Sequence, residues 1–139
     1  MKKQSLILIL LFAVGTTFAQ TKVPTAVKEA FAKAYPKATE VKWDKENKNE
    51  YEANCKNENV VMSLVYNAKG ELLETETEIP VTDFPTKVIE HIHKLYPTAI
   101  ITGGDKIVTN IGVVSYEADL TIGKKKIEKQ FAADGSFVK

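Results

Sequence analysis

The sequence predicts an α+β fold in which two short helices pack on one face of an antiparallel sheet. Two observations carry this. The hydrophobic period switches from 3.6 to 2 along the chain, and the switch happens twice with the same landmarks. Pro24 and Pro36 recur as Pro85 and Pro97, each 61 residues on. Tyr51-Glu52-Ala53 and Gly70 recur as Tyr116-Glu117-Ala118 and Gly135, each 65 residues on. The second copy has therefore gained four residues between Ala99 and Tyr116, and Thr102-Gly103-Gly104-Asp105 is the expected place for them. Each copy reads as α-β-β-β(-β). The expected organisation is an export signal over residues 1–19, one repeat over 20–80 and a second over 81–139, with Ile79 to Asp83 as the joint. Together the repeats form one compact unit, because about 60 residues alone bury too little apolar surface to be stable.

The first residues read as a targeting segment. Met1-Lys2-Lys3 is a positive start, Ser5 to Val14 is almost wholly apolar, and small or polar residues follow up to Ala19-Gln20. That order is the anatomy of a secretory signal with a cut after Ala19. The apolar run is too short to span a bilayer, so no membrane insertion is expected after its removal. An uncut N-terminal anchor is the alternative.

Each helix starts at a proline, where the missing N–H costs nothing. Val27, Ala30, Phe31, Ala34 and Tyr35 form the apolar stripe of the first, and Val88, Ile89, Ile92, Leu95 and Tyr96 that of the second. Pro36 and Pro97 stop them, because the residue before proline avoids the α region. Period two then takes over. Val41 and Trp43; Tyr51, Ala53 and Cys55; and Val60, Met62, Leu64 and Tyr66 are same-face sets. Asn67 to Gly70 makes a hairpin turn. Leu73, Thr75 and Thr77 follow, with Glu74, Glu76 and Glu78 on the other face. In the second copy Val114, Tyr116, Ala118, Leu120 and Ile122 alternate, then Ile127 and Phe131. Lys129 stands where the first copy has Leu64, and Gly104 where it has Trp43.

Composition narrows the function. Loss of Lys2 and Lys3 leaves 17 lysines against 18 acids, and the chain has no arginine. Balanced charge without guanidinium forks argues against nucleic acid as a partner. Cys55 is the single cysteine, so no internal disulfide can form, and its apolar phase predicts burial. His91 and His93 point about 200° apart on a helix; they cannot share a metal and read as solvated surface. Glu71, Glu74, Glu76 and Glu78 form a row along a strand rather than a ring around a cation, and read as a charged outer face that discourages edge association. Lys124 to Lys126 is a solvated turn. Gly103-Gly104 lacks the helix and Lys-Ser/Thr of a phosphate loop.

Several of these runs resemble the PepSY-like family of β-lactamase-inhibitor-like proteins. They are Asn49-Glu50-Tyr51-Glu52-Ala53, Val60 to Tyr66, Ala68-Lys69-Gly70-Glu71-Leu72, and Ala34-Tyr35-Pro36-Lys37-Ala38 followed by Val41-Lys42-Trp43. The second copy repeats them as Leu95 to Ala99 and Tyr116-Glu117-Ala118. The resemblance implies tandem helix-on-sheet units, export and a non-catalytic binding or inhibitory role. The Phe18-Ala19-Gln20 ending is similar to export signals of Bacteroidetes-type Gram-negative bacteria, which implies a periplasmic or secreted protein.

The sequence thus predicts a non-enzymatic binding module with no catalytic residues, metal or cofactor, whose partner is a protein of the cell envelope. The expected partner-binding residues are Trp43, Glu52, Asn54, Glu117 and Asp119. A small-ligand carrier or hydrolase using a pocket between helices and sheet is the alternative; a structural protein of the envelope is a third reading.

Overall fold

The computed structural model describes residues 22–138; the expected export signal and its cut after Ala19 lie outside the described residues. Pro24 and Pro85 are the N-cap residues of α1 (Thr25–Ala34) and α2 (Thr86–Leu95), with φ of −58° and −57°. Their fixed φ suits the helix entry, and their carbonyls accept the first helical N–H groups, from Val27 and Val88. Each helix has ten residues, too few to persist alone. Burial holds them: Val27 and Phe31 from α1, and Val88 and Ile92 from α2, are the buried helical residues.

The strands make one seven-stranded antiparallel sheet in chain order. These are β1 (Thr39–Lys45), β2 (Glu50–Asn57), β3 (Val60–Asn67), β4 (Leu72–Glu78), β5 (Ile100–Thr109), β6 (Val114–Ile122) and β7 (Lys125–Ala132). Between β4 and β5 the chain makes a 3₁₀ turn at Val81–Asp83 and then runs through α2. After β7, Phe137 pairs back with Phe131 in an isolated bridge, which among the described residues is all that stands for a fourth strand in the second half.

Strand alternation puts both helices on one sheet face. Ala53, Cys55, Leu64 and Tyr66 pack under α1 with Val23, Val27 and Phe31. Ala118, Leu120 and Phe131 pack under α2 with Phe84, Val88 and Ile92. The sheet is continuous, but these are two clusters, one beneath each helix. Two members of the predicted stripes are outside them: Leu95 is 44% exposed and Ala34 is exposed. Their place is taken by Val23 and Phe84, which precede the helices. Val60, expected to face inward, is exposed at the start of β3.

Register locates the four extra residues of the second half. Trp43 pairs with Ala53 and Lys45 with Tyr51; at the same offsets Gly104 pairs with Ala118 and Lys106 with Tyr116. The offset of 61 therefore holds through the Thr102–Asp105 run, which carries no insertion. The extra residues follow Lys106. They add the pairs Ile107↔Ser115 and Val108↔Val114, and so lengthen the β5–β6 hairpin. A register shift between Val65 and Tyr66 sets Leu72 opposite Tyr66. Leu72, not Leu73, consequently joins the helix-side cluster.

Two close approaches fix helix to sheet. A Cβ on Gly70 (φ +85°) would lie 2.6 Å from the Ala26 carbonyl oxygen, and one on Gly135 (φ +90°) 2.6 Å from that of Lys87. Each hairpin turn is thus seated against the first turn of its helix, at a left-handed position that favours glycine. A size exchange fills the space beneath the helices. Trp43 meets Phe31 edge-on at 5.3 Å, beside the smaller Val23. In the second half Phe84 fills the corresponding space, and a Cβ on Gly104 would lie 2.8 Å from its ring.

Candidate binding face

The face of the sheet opposite the helices has no covering element among the described residues. Alternation places the side chains of Glu52 and Asn54 (β2), Ser63 and Val65 (β3), Glu74, Glu76 and Glu78 (β4), Asp105 and Ile107 (β5), and Ser115, Glu117 and Asp119 (β6) on it. Pairing aligns them in rows across the sheet. Glu52 lies opposite Val65, which lies opposite Glu74. Asn54 leads through Ser63, Glu76 and Ile107 to Ser115. Glu78 leads through Asp105 to Glu117.

Four of the five predicted partner-binding residues therefore share this face: Glu52, Asn54, Glu117 and Asp119. Trp43 does not. It is paired with Ala53 and packs with the helix-side cluster, because its phase on β1 is that of the core. Glu76 and Asp105, at the centre of the face, carry no functional signal within their own strands: one belongs to an acidic row, the other to a glycine run. The signal that joins them is the β4–β5 pairing, which neither strand's own pattern contains.

The floor of this face is well packed. Ile107 is 2% and Val65 8% exposed, and Ser63 and Ser115 are buried. The polar atoms near the floor find neutral donors. Ser63 donates to the Glu52 carboxylate, Asn54 Nδ2 donates to Glu52 Oε2 at 3.1 Å, and Gln130 Nε2 donates to Ser115 Oγ at 2.7 Å. Two clefts run along it. One of about 340 Å³ is lined by Glu52, Ser63, Glu76, Glu78, Asp105 and Asp119 among others. A second of about 280 Å³ is lined by Glu50, Glu52, Leu73, Glu74 and Glu76 among others. Neither lies between a helix and the sheet.

Crowding of like charges on a half-buried surface alters the chemistry. Burial, and after it Glu74, Glu117, Asp105 and Glu52, push the Glu76 carboxyl up to about 7. Burial, then Asp119, Glu78 and Glu128, raise that of Asp105. Among the described residues no group of three or more His, Cys, Asp or Glu side chains is arranged to hold a metal ion. The remaining chemistry-bearing residues lie elsewhere. Cys55 is buried, and its thiol pKa is raised by that burial. His91 is half-buried with its ring 6.0 Å from that of Phe131, while His93 is exposed. Lys129 is half-buried with its ammonium 5.7 Å from the centre of the Phe137 ring; a cation thus meets an aromatic face where the first half has the fully buried Leu64.

The family model described as "Putative beta-lactamase-inhibitor-like, PepSY-like" matches this sequence twice, over residues 13–74 and 49–139. The chain belongs to this family. A structure from Bacteroides eggerthii, described as that of "putative periplasmic proteins", superposes with a TM-score of 0.74 at 15% identity over 84% of this chain and 86% of that one. A DUF2874 family protein from Bacteroides uniformis gives a TM-score of 0.72 at 15% identity over 84% and 86%. A BLIP-like protein from Bacteroides fragilis gives 0.63 at 22% identity over 84% of both chains. At these identities the likeness concerns the fold alone. No curated protein matches the sequence. Among the described residues no helix is long and apolar enough to cross a membrane.

Proposed function

We propose that this chain is an exported, non-enzymatic binding module that captures a protein of the cell envelope on the open face of its sheet. Charge segregation carries the reading. The whole chain holds 19 lysines and 18 acids, yet the outward positions of β4, β5 and β6 hold Glu74, Glu76, Glu78, Asp105, Glu117 and Asp119 and no lysine. A nearly neutral chain has gathered acids alone on these three strands of the face, with Lys42, Lys56 and Lys126 toward its two edges. Such a field speeds encounter with an oppositely charged partner and rejects others.

Glu52, Asn54, Glu117 and Asp119 are the contacts on this reading, and Trp43 serves packing. The chain is organised as two copies of one helix-on-sheet unit, 20–80 and 81–139, behind a cleaved signal over residues 1–19. The doubled family match and the recurring strand registers support the repeat. The periplasmic description of a structural neighbour supports export to the periplasm or beyond. The clefts lined by Glu52 and Glu76 lie on the open face, which favours a macromolecular partner over a carrier or hydrolase pocket beneath the helices.

The test is charge reversal. Glu52→Lys, Glu117→Lys and Asp119→Lys together should abolish capture of the envelope partner by the immobilised mature chain, with unchanged circular dichroism. Reversal of Glu29 and Glu90 on the exposed helix surfaces should leave capture intact. Equal capture by both variants contradicts the proposal.

A further inference from the structure

The β5–β6 hairpin ends in an apolar tip. Ile111 is 81% and Val113 55% exposed, the former the most exposed large hydrophobic side chain described. The corresponding turn of the first half, Glu46 to Asn49, carries only charged and amide side chains. The four additional residues of the second half have therefore lengthened a hairpin and replaced a polar tip with an aliphatic one. The tip is also ordered. Gly112 N–H donates to the Thr109 carbonyl at 2.9 Å and Thr109 N–H to that of Val113 at 3.0 Å. Val113 N–H donates to Thr109 Oγ1 at 3.1 Å. Asn110 N–H donates to the Leu73 carbonyl at 2.8 Å, bracing the tip on β4. A pre-formed apolar projection loses little freedom on binding.

We propose that Ile111 and Val113 are the anchor by which a cationic protein docks, inserting into an apolar pocket of that partner while its lysines or arginines meet the carboxylates beside the tip. This rests on the sheet-face reading and adds the residue that fixes the partner's position. Charge decides the occupant. Glu74 pairs with Thr109 at the base of the tip, and Glu50, Glu52 and Glu76 line the adjoining cleft with Leu73. A phospholipid surface offers no matching excess of cations and would be repelled where anionic. A second copy would bring its own carboxylates to the same place.

Site-specific photocrosslinking tests this in intact cells producing the full chain, with p-benzoylphenylalanine as the probe. Introduced as Ile111→p-benzoylphenylalanine, it should give an adduct with one protein, at an apolar segment bordered on that partner's surface by lysine or arginine. Adding Glu74→Lys and Glu76→Lys should reduce that adduct at least five-fold. The same probe at Asp119 reads the sheet face independently, and at Lys33 on α1 it should stay silent. An adduct at 119 but none at 111 overturns the anchor and leaves the face reading standing; silence at both overturns both. An adduct with lipid, with a second copy of this chain, or with a protein whose yield ignores the charge reversal overturns the proposal.

Discussion

Glu76 shows how a single side chain links the face to stability. Unfolded, it ionises near 4.5; folded, it holds its proton up to about 7. Between those values the folded state binds more protons than the unfolded one, so stability falls as pH rises through this window. Glu76→Gln should flatten the fall in melting temperature between pH 5 and 7.5, and raise the melting temperature at pH 7.5. Asp105 shifts in the same direction, so a smaller slope should remain. A slope unchanged by the substitution would show that Glu76 ionises normally. Tyr66 makes a second case. Its hydroxyl is buried without a hydrogen-bond partner among the described residues, burial above all pushes its pKa up to about 12, and the second half has Phe131 at the equivalent position. Tyr66→Phe should therefore be neutral or stabilising by about 1 kcal/mol in urea titration, since an unsatisfied buried group costs that much or more.

At the scale of elements, the decisive contacts join helices to hairpin turns. Gly70→Ala and Gly135→Ala each force a Cβ against a backbone carbonyl at a positive φ. Each should cost about 2 kcal/mol or more, read as a fall in the urea midpoint. The exchange beneath the helices behaves differently. Phe84→Val leaves a void and should cost about 1–3 kcal/mol. Adding Gly104→Trp should not repair it, because a Cβ there would lie 2.0 Å from the Glu117 carbonyl oxygen. A double variant as stable as the parent would show that the two halves are interchangeable at this point.

These elements were largely legible in the sequence, and the exceptions have physical causes. Prolines and turn glycines mark helix and hairpin limits because they act through local backbone geometry, which a sequence displays directly. Alternation put Glu52, Asn54, Glu117 and Asp119 on one face for the same reason. Trp43 was harder, since the phase of β1 depends on its register with β2, where a shift falls between Thr39 and Lys42. Leu72 and Leu73 exchanged roles at another shift. The insertion was misplaced because two glycines suggest a loop, whereas Gly104 lies within β5, where a Cβ would meet Phe84 and the backbone of β6. Long-range pairing settled each of these, and no short window of sequence contains it.

For the whole molecule, the organisation is a single sheet carrying two helix-side clusters and one open face with an acidic centre. The five residue pairs of β4 and β5 join the halves. A chain ending at residue 80 would leave β4 as an unpaired edge over one small cluster, and should show a broad transition of low stability in thermal melts. A sharp transition at the parent temperature would show that the first half stands alone. The face itself exists only in the joined sheet, because Glu52 and Asn54 come from one half and Glu117 and Asp119 from the other. The most direct measurement of its role is quantitative capture of the proposed envelope partner by residues 20–139 and by their Glu52→Lys, Glu117→Lys, Asp119→Lys variant, both verified as folded. The account predicts capture by the parent and none by the variant; equal capture by the two would contradict it.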